Sequence, residues 1–139
     1  MFNYFFVYGT LKKGCRNHHF LSQHGIESCG AAYTRGKLYH LINENYPAML
    51  PGTDLISGEL YKVDSAEEIS HILDKLENYN EENEIESEYI RKKISVSDEA
   101  EYDISAYAYC YNIREIDDFK NNSIYLPAGE WKEIQAFVK

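Results

Sequence analysis

The chain has 139 residues, enough to build a hydrophobic core without metal or disulfide staples. Its 44% hydrophobic and 14% aromatic content argues against disorder, and its formal charge of −9 makes nucleic acid or an anionic membrane a poor partner. No segment reaches the roughly 18 apolar residues of a membrane span, and no basic-then-apolar secretion signal opens the chain. Three widely spaced cysteines, Cys15, Cys29 and Cys110, suit free thiols in a reducing compartment, so the expectation is a cytoplasmic protein.

The first element is Phe5-Phe6-Val7-Tyr8, an aromatic and β-branched run that reads as a buried strand. It stops at Gly9, and Thr10, Leu11 and a second glycine, Gly14, follow. Such a loop is either a plain glycine turn or a place where unpaired backbone N–H groups converge on an anion such as a carboxylate. It lacks the spacing of a phosphate-binding loop. Cys15 to Leu21 begins a short helical stretch ending near Gly25; Cys15 with His18 and His19 offers part of a metal site or a thiol nucleophile, but no second ligand pair or positioned base accompanies it.

Ala31 to Tyr39 reads as a strand carrying Gly36, a candidate bulge. Asn43 to Asn45 reads as a turn, and Tyr46 to Gly52, bracketed by Pro47 and Pro51, as an irregular segment that either walls a pocket or crosses the surface. Leu55 to Val63 alternates like a strand around Gly58. Asp64 or Ser65 then caps a helix whose Ile69, Ile72, Leu73 and Leu76 recur at helical spacing. Glu77 closes that stripe at the unfavourable end of the helix dipole, which raises a carboxyl pKa toward acid–base service. Asn78 to Glu88 reads as an exposed, mobile loop. Tyr89 to Val96 and Ile104 to Tyr111 return to strand character, a polar connection leads to Tyr125–Trp131, and a short helix is expected to close the chain at Lys139. No repeat, linker or boundary interrupts this single domain, 1–139. Glycine-bearing strands with one long helix predict an α+β fold, a curved, mostly antiparallel sheet or small barrel with helices packed on it.

Phe6-Val7-Tyr8-Gly9-Thr10-Leu11, Asn17-His18, Tyr46-Pro47-Ala48, Gly58-Glu59-Leu60-Tyr61, Leu73-Asp74-x-x-Glu77, Tyr89-x-Arg91 and Gly129-Glu130-Trp131 occur together and in order. This set resembles the gamma-glutamylcyclotransferase-like superfamily, including its gamma-glutamylamine cyclotransferase branch, from about Phe5 to Trp131. The resemblance implies a small, mostly antiparallel β-barrel with flanking helices. It implies conversion of a γ-glutamyl amine or amino acid to 5-oxoproline and the free amine, with no metal or cofactor. By position it makes Glu77 the catalytic acid/base, Tyr8, Gly9, Thr10 and Leu11 the loop that binds the α-carboxylate, and Tyr89 a substrate contact. Trp131 and Tyr46-Pro47 are read as pocket or core packing. Two departures stand out: a long acidic loop after Glu77, which could cover the site and favour cationic leaving groups, and Asn78 where the family often has glycine. A non-catalytic binder on the same fold, and hydrolysis to glutamate, are the rival readings. Nothing in the residues specifies an oligomeric state.

Overall fold

The computed structural model describes residues 3–24 and 26–133. Its elements are β1 (Asn3–Val7), α1 (His19–Ser22), β2 (Glu27–Leu41), β3 (Tyr46–Val63), α2 (Ala66–Leu76), β4 (Tyr89–Asp98), β5 (Asp103–Tyr111), α3 (Ile116–Asn122) and β6 (Ser123–Tyr125). The strands run in the order β3-β1-β5-β4-β2, and β2 pairs back onto β3. The result is a closed five-stranded barrel with β6 added on β2 and helices outside. One pairing, β1 with β5, is parallel, and the others are antiparallel. The expected mostly antiparallel barrel with flanking helices is therefore the fold that forms. No helix among the described residues is long and apolar enough to cross a membrane.

β1 is buried on both faces, which is why its sequence is continuously apolar rather than alternating. Phe6 and Tyr8 point into the barrel core with Leu38, Ile56, Leu60 and Val96. Phe5 and Val7 point outward, under Leu21 of α1 and Ile69 and Leu73 of α2. Ala106 and Ala108 of β5 face inward and are fully buried, leaving room for the Phe6 ring and the Trp131 indole. The same strand's Tyr107 and Tyr109 face the helices.

The long strands β2 and β3 bend through two irregularities. Cys29 and Gly30 lie opposite Leu60, with Gly30 at φ +87°. At Gly36/Lys37 the extra residues belong to the partner, where 51–53 stand out between Leu50 and Asp54. This corrects the expectation of an irregular 46–52 segment: Tyr46 to Leu50 is strand, with Pro47 opposite His40. Pro47 is tolerated because β3 there has β2 on one side and β1 only further along, at 59–63, while Pro51 falls in the bulge.

Two further expectations change. The connection after β5 contains α3 and β6, with the Glu115 side chain accepting from the Asp117 N–H. Ser65 stands at the N-cap of α2 but makes no side-chain capping bond. The helix expected at the C-terminus falls mainly on 134–139, outside the described residues.

Candidate active site

α2 carries a stripe of Ile69, Ile72, Leu73 and Leu76 that packs onto the outer face of the barrel. It ends in a Schellman motif: the Tyr79 N–H reaches the Asp74 carbonyl at 2.9 Å and the Asn78 N–H the Lys75 carbonyl at 3.3 Å. Asn78 takes the left-handed turn this motif requires, at φ +53°. Asparagine is the usual second choice after glycine there, since its short polar side chain tolerates that conformation, so the departure at Asn78 preserves the turn. The last turn is also tied to the sheet. Asp74 accepts from Arg91 Nη1 of β4 at 2.5 Å and from the Tyr109 hydroxyl of β5 at 2.6 Å. Glu77, the C-cap residue, is thereby fixed in place at the edge of a cavity.

That cavity, of about 180 Å³, brings together the six residues that the resemblance assigns to the site: Tyr8, Gly9, Thr10, Leu11, Glu77 and Tyr89 all line it. Glu77 is half-buried, and its carboxyl oxygens, which take no hydrogen bond from the described residues, are not fully shut off from the surface. Burial, and then the nearby charge of Glu88, push its pKa up from 4.5 to about 8.

In the loop after β1, the Lys12 N–H turns back to the Gly9 carbonyl at 3.0 Å. Asn17 braces the loop twice, through its N–H to the Thr10 carbonyl and its side chain to the Thr10 hydroxyl, both at 2.9 Å. A His18 ring nitrogen meets the Leu11 carbonyl at 2.9 Å. The N–H groups of Thr10 and Leu11 find no partner among the described residues. Gly9 packs against Pro47 so closely that a Cβ on it would lie 2.5 Å from the proline Cγ. Two separate sequence motifs are thus one contact.

The cavity phenols are all committed as donors. Tyr8 donates to the Tyr109 carbonyl, Tyr89 to the Pro47 carbonyl at 2.5 Å, Tyr46 to Glu88, and Tyr109 to Asp74. Burial raises the pKa values of Tyr8 and Tyr89 well above the ordinary tyrosine value, so both stay neutral. These hydroxyl protons are therefore already engaged, whereas the Thr10 and Leu11 N–H groups are open to a ligand.

His18 and His19 each turn one ring nitrogen to a backbone carbonyl, and Cys15 packs on the barrel core. Trp131 is core rather than cavity wall, and its indole N–H donates to His40 Nδ1 at 3.0 Å. Tyr46 and Pro47, read as pocket or core packing, line the cavity, as do Arg16, Asn17 and Glu88. Sequence reasoning missed Glu88 as a site residue because it is the last glutamate of an acidic run. Its one distinguishing mark is its place directly before β4. The loop that it ends is exposed at Glu81–Glu86, as expected, but is held at both ends rather than free.

Residues 5–133 match the family model described as "Gamma-glutamyl cyclotransferase, AIG2-like". A curated relative, the gamma-L-glutamyl-butirosin B gamma-glutamyl cyclotransferase of Niallia circulans, is 38% identical over 74 residues, covering 53% of this chain and 45% of that protein. The chain thus aligns with less than half the length of that relative. Among solved structures, an AIG2-like protein from Mus musculus has a TM-score of 0.73 at 24% identity, over 94% of this chain and 88% of that one. YkqA from Bacillus subtilis has a TM-score of 0.68 at 26% identity, over 99% of this chain and 42% of that one. By the extent of the family match, this chain belongs to the gamma-glutamyl cyclotransferase, AIG2-like family.

Proposed function

We propose that this chain, as a single catalytic unit, cyclises a γ-glutamyl amine or γ-glutamyl amino acid to 5-oxoproline and the free amine. The observation that carries the reading is one carboxyl without a hydrogen-bond partner among the described residues, Glu77, lining the same small cavity as Thr10 and Leu11, whose N–H groups are also unpartnered there.

The substrate carries its own nucleophile, the α-amino group, so the protein has to fold the glutamyl chain and move protons. The loop N–H groups and Arg16, whose guanidinium is also paired with Glu133, favour an anion at one end of the cavity. The α-carboxylate is the matching group. With it held there, the rest of the glutamyl group shares the cavity with Glu77.

The α-nitrogen enters as an ammonium and leaves as a lactam N–H, so it sheds two protons, one before attack on the γ-carbonyl and one after. The leaving nitrogen gains two as the C–N bond breaks and departs as an ammonium. One carboxyl alternating between base and acid can carry both transfers. Magnitude decides whether Glu77 suits this work. An α-ammonium beside its own carboxylate titrates above the ~8 of a peptide N-terminus. A carboxylate at 4.5 would be too weak a base by more than three units, whereas one at about 8 narrows that gap by most of its width.

The test is product analysis on a panel of γ-glutamyl amines and dipeptides, wild type against Glu77→Gln. The expected result is 5-oxoproline from the wild type, with kcat/KM rising through about pH 8, and a loss on the order of 10²–10⁴-fold in the variant. Glutamate as product would make the chain a hydrolase. An absence of turnover across the panel, with ligand-induced thermal shifts retained, would make it a binding protein.

A further inference from the structure

The loop between α2 and β4 is tied at its two ends by the same residue pair. The Glu88 N–H donates to the Asn78 carbonyl at 3.1 Å, and Asn78 Nδ2 donates to Glu88 Oε1, also at 3.1 Å. The Tyr46 hydroxyl donates to the other carboxylate oxygen, Oε2, and the Asn112 N–H holds the Glu88 carbonyl at 3.0 Å. The Glu88 carboxylate is therefore fixed at both oxygens and lines the cavity that holds Glu77. The other glutamates of the loop do not line that cavity, and Glu84 instead takes the Tyr79 hydroxyl at 2.8 Å. Building a second carboxylate beside a buried first one raises the electrostatic energy of the site, and a clamp of this kind maintains it.

We infer that Glu88, clamped by Asn78 and Tyr46, is a positioning residue that holds a negative charge against the Glu77 carboxyl and strengthens it as acceptor of the substrate's α-ammonium proton. This rests on the cyclotransferase reading above. It also gives Asn78 a task beyond its turn: glycine would make the left-handed turn equally well, but has no side chain with which to grip Glu88.

The other charged and titratable neighbours do not substitute for Glu88. Tyr8 and Tyr89, facing Glu77, remain neutral. Arg16, on the loop side, is paired with Glu133 at 2.9 Å. Asp74, one turn back on α2, is neutralised by Arg91. Arg114, after β5, feels Glu88 but donates to the Tyr111 hydroxyl at 3.4 Å, and Glu44 of the β2–β3 turn accepts from Asn122.

The test follows the Glu77 carboxyl directly. With 13C-labelled glutamate carboxyls and the Glu77 resonance assigned through Glu77→Gln, its titration is read in wild type, Glu88→Gln and Asn78→Gly. kcat/KM against pH is measured on the same proteins. The expected outcome is a midpoint near 8 in wild type, lowered by about one unit in Glu88→Gln, with the pH–rate profile moving by the same amount. Asn78→Gly, which keeps the turn, should move both in the same direction by less.

An unchanged midpoint in Glu88→Gln overturns the inference. So does a rate loss with an unmoved profile, which marks a structural role. A change confined to the ratio between a cationic and a neutral leaving amine also overturns it, by making Glu88 a leaving-group contact. A shifted midpoint with no 5-oxoproline from wild type on any substrate removes the cyclotransferase reading and the role with it, while leaving the charge pairing itself measured.

Discussion

A free glutamate carboxyl titrates near 4.5, and inside this cavity burial and Glu88 lift Glu77 to about 8. That displacement acts on the fold as well as on the chemistry. Between those two values the folded chain holds a proton that the unfolded chain has released, so rising pH withdraws stability from the fold. The withdrawal begins above the unfolded value and is complete once pH passes about 8. Glutamine at the same place cannot ionise. The melting temperature of Glu77→Gln minus that of wild type should therefore grow from pH 5 to pH 9 and level off above. A difference independent of pH would place the carboxyl in bulk water and remove the basis of its chemistry. Glu77 was legible in the sequence because the apolar stripe of α2 ends beside it. The cavity's second carboxylate was not, because only the folded loop separates Glu88 from the solvated glutamates before it.

At the scale of elements, the site depends on where α2 stops. Leu73 of α2 is fully buried, but packing alone leaves a helix end free to fray. The Schellman turn at Asn78 and the Asp74–Arg91–Tyr109 cluster fix that end to β4 and β5. Arg91 adds a contact over the Tyr79 ring, its guanidinium carbon 5.4 Å from the centroid. A double-mutant cycle of Asp74→Asn and Arg91→Met should give a coupling of about 1.5–3 kcal/mol, the range for hydrogen bonds to charged groups, measured by urea unfolding. Each single variant should also raise KM or lower kcat by shifting Glu77. A coupling near zero would show the pair to be solvated decoration. The motif Leu73-Asp74-x-x-Glu77 joined these residues in the sequence, with Tyr89-x-Arg91 as a separate motif. Their meeting was hidden because it spans a loop and two strands. Tyr46 to Leu50 was misread for a related reason. Proline argues against a strand wherever a neighbour needs its N–H, and which neighbour is missing is a property of the closed sheet, not of the segment.

For the whole molecule, closing the barrel divides the apolar residues into an interior and an outer layer under α1 and α2, and the cavity lies where the loop after β1 meets the end of α2. The segment Gly129-Glu130-Trp131 joins the two. Gly129 sits at φ +69° with no room for a side chain, since a Cβ would fall 1.9 Å from the Leu55 carbonyl oxygen, and its own carbonyl accepts from the Ser57 N–H at 2.8 Å. Trp131 then enters the barrel core at 1% exposure, and Lys12, directly after the loop of Gly9 to Leu11, donates from Nζ to its carbonyl at 2.5 Å. The core and the site loop therefore share an anchor. Trp131→Ala should cost about 3–5 kcal/mol through the cavity it leaves, a large part of the ~5–15 kcal/mol that stabilises a typical domain. Trp131→Phe retains most of the packing and loses the indole bond to His40 Nδ1, and should cost about 0.5–1.5 kcal/mol for that bond plus a smaller packing loss. Urea unfolding of the two variants separates the contributions. If Trp131→Phe costs as much as Trp131→Ala, the bond to His40 and not the packed ring anchors the segment. If both are small, the barrel closes without the tryptophan, and the site loop is held by Asn17, His18 and the packing of Gly9 on Pro47.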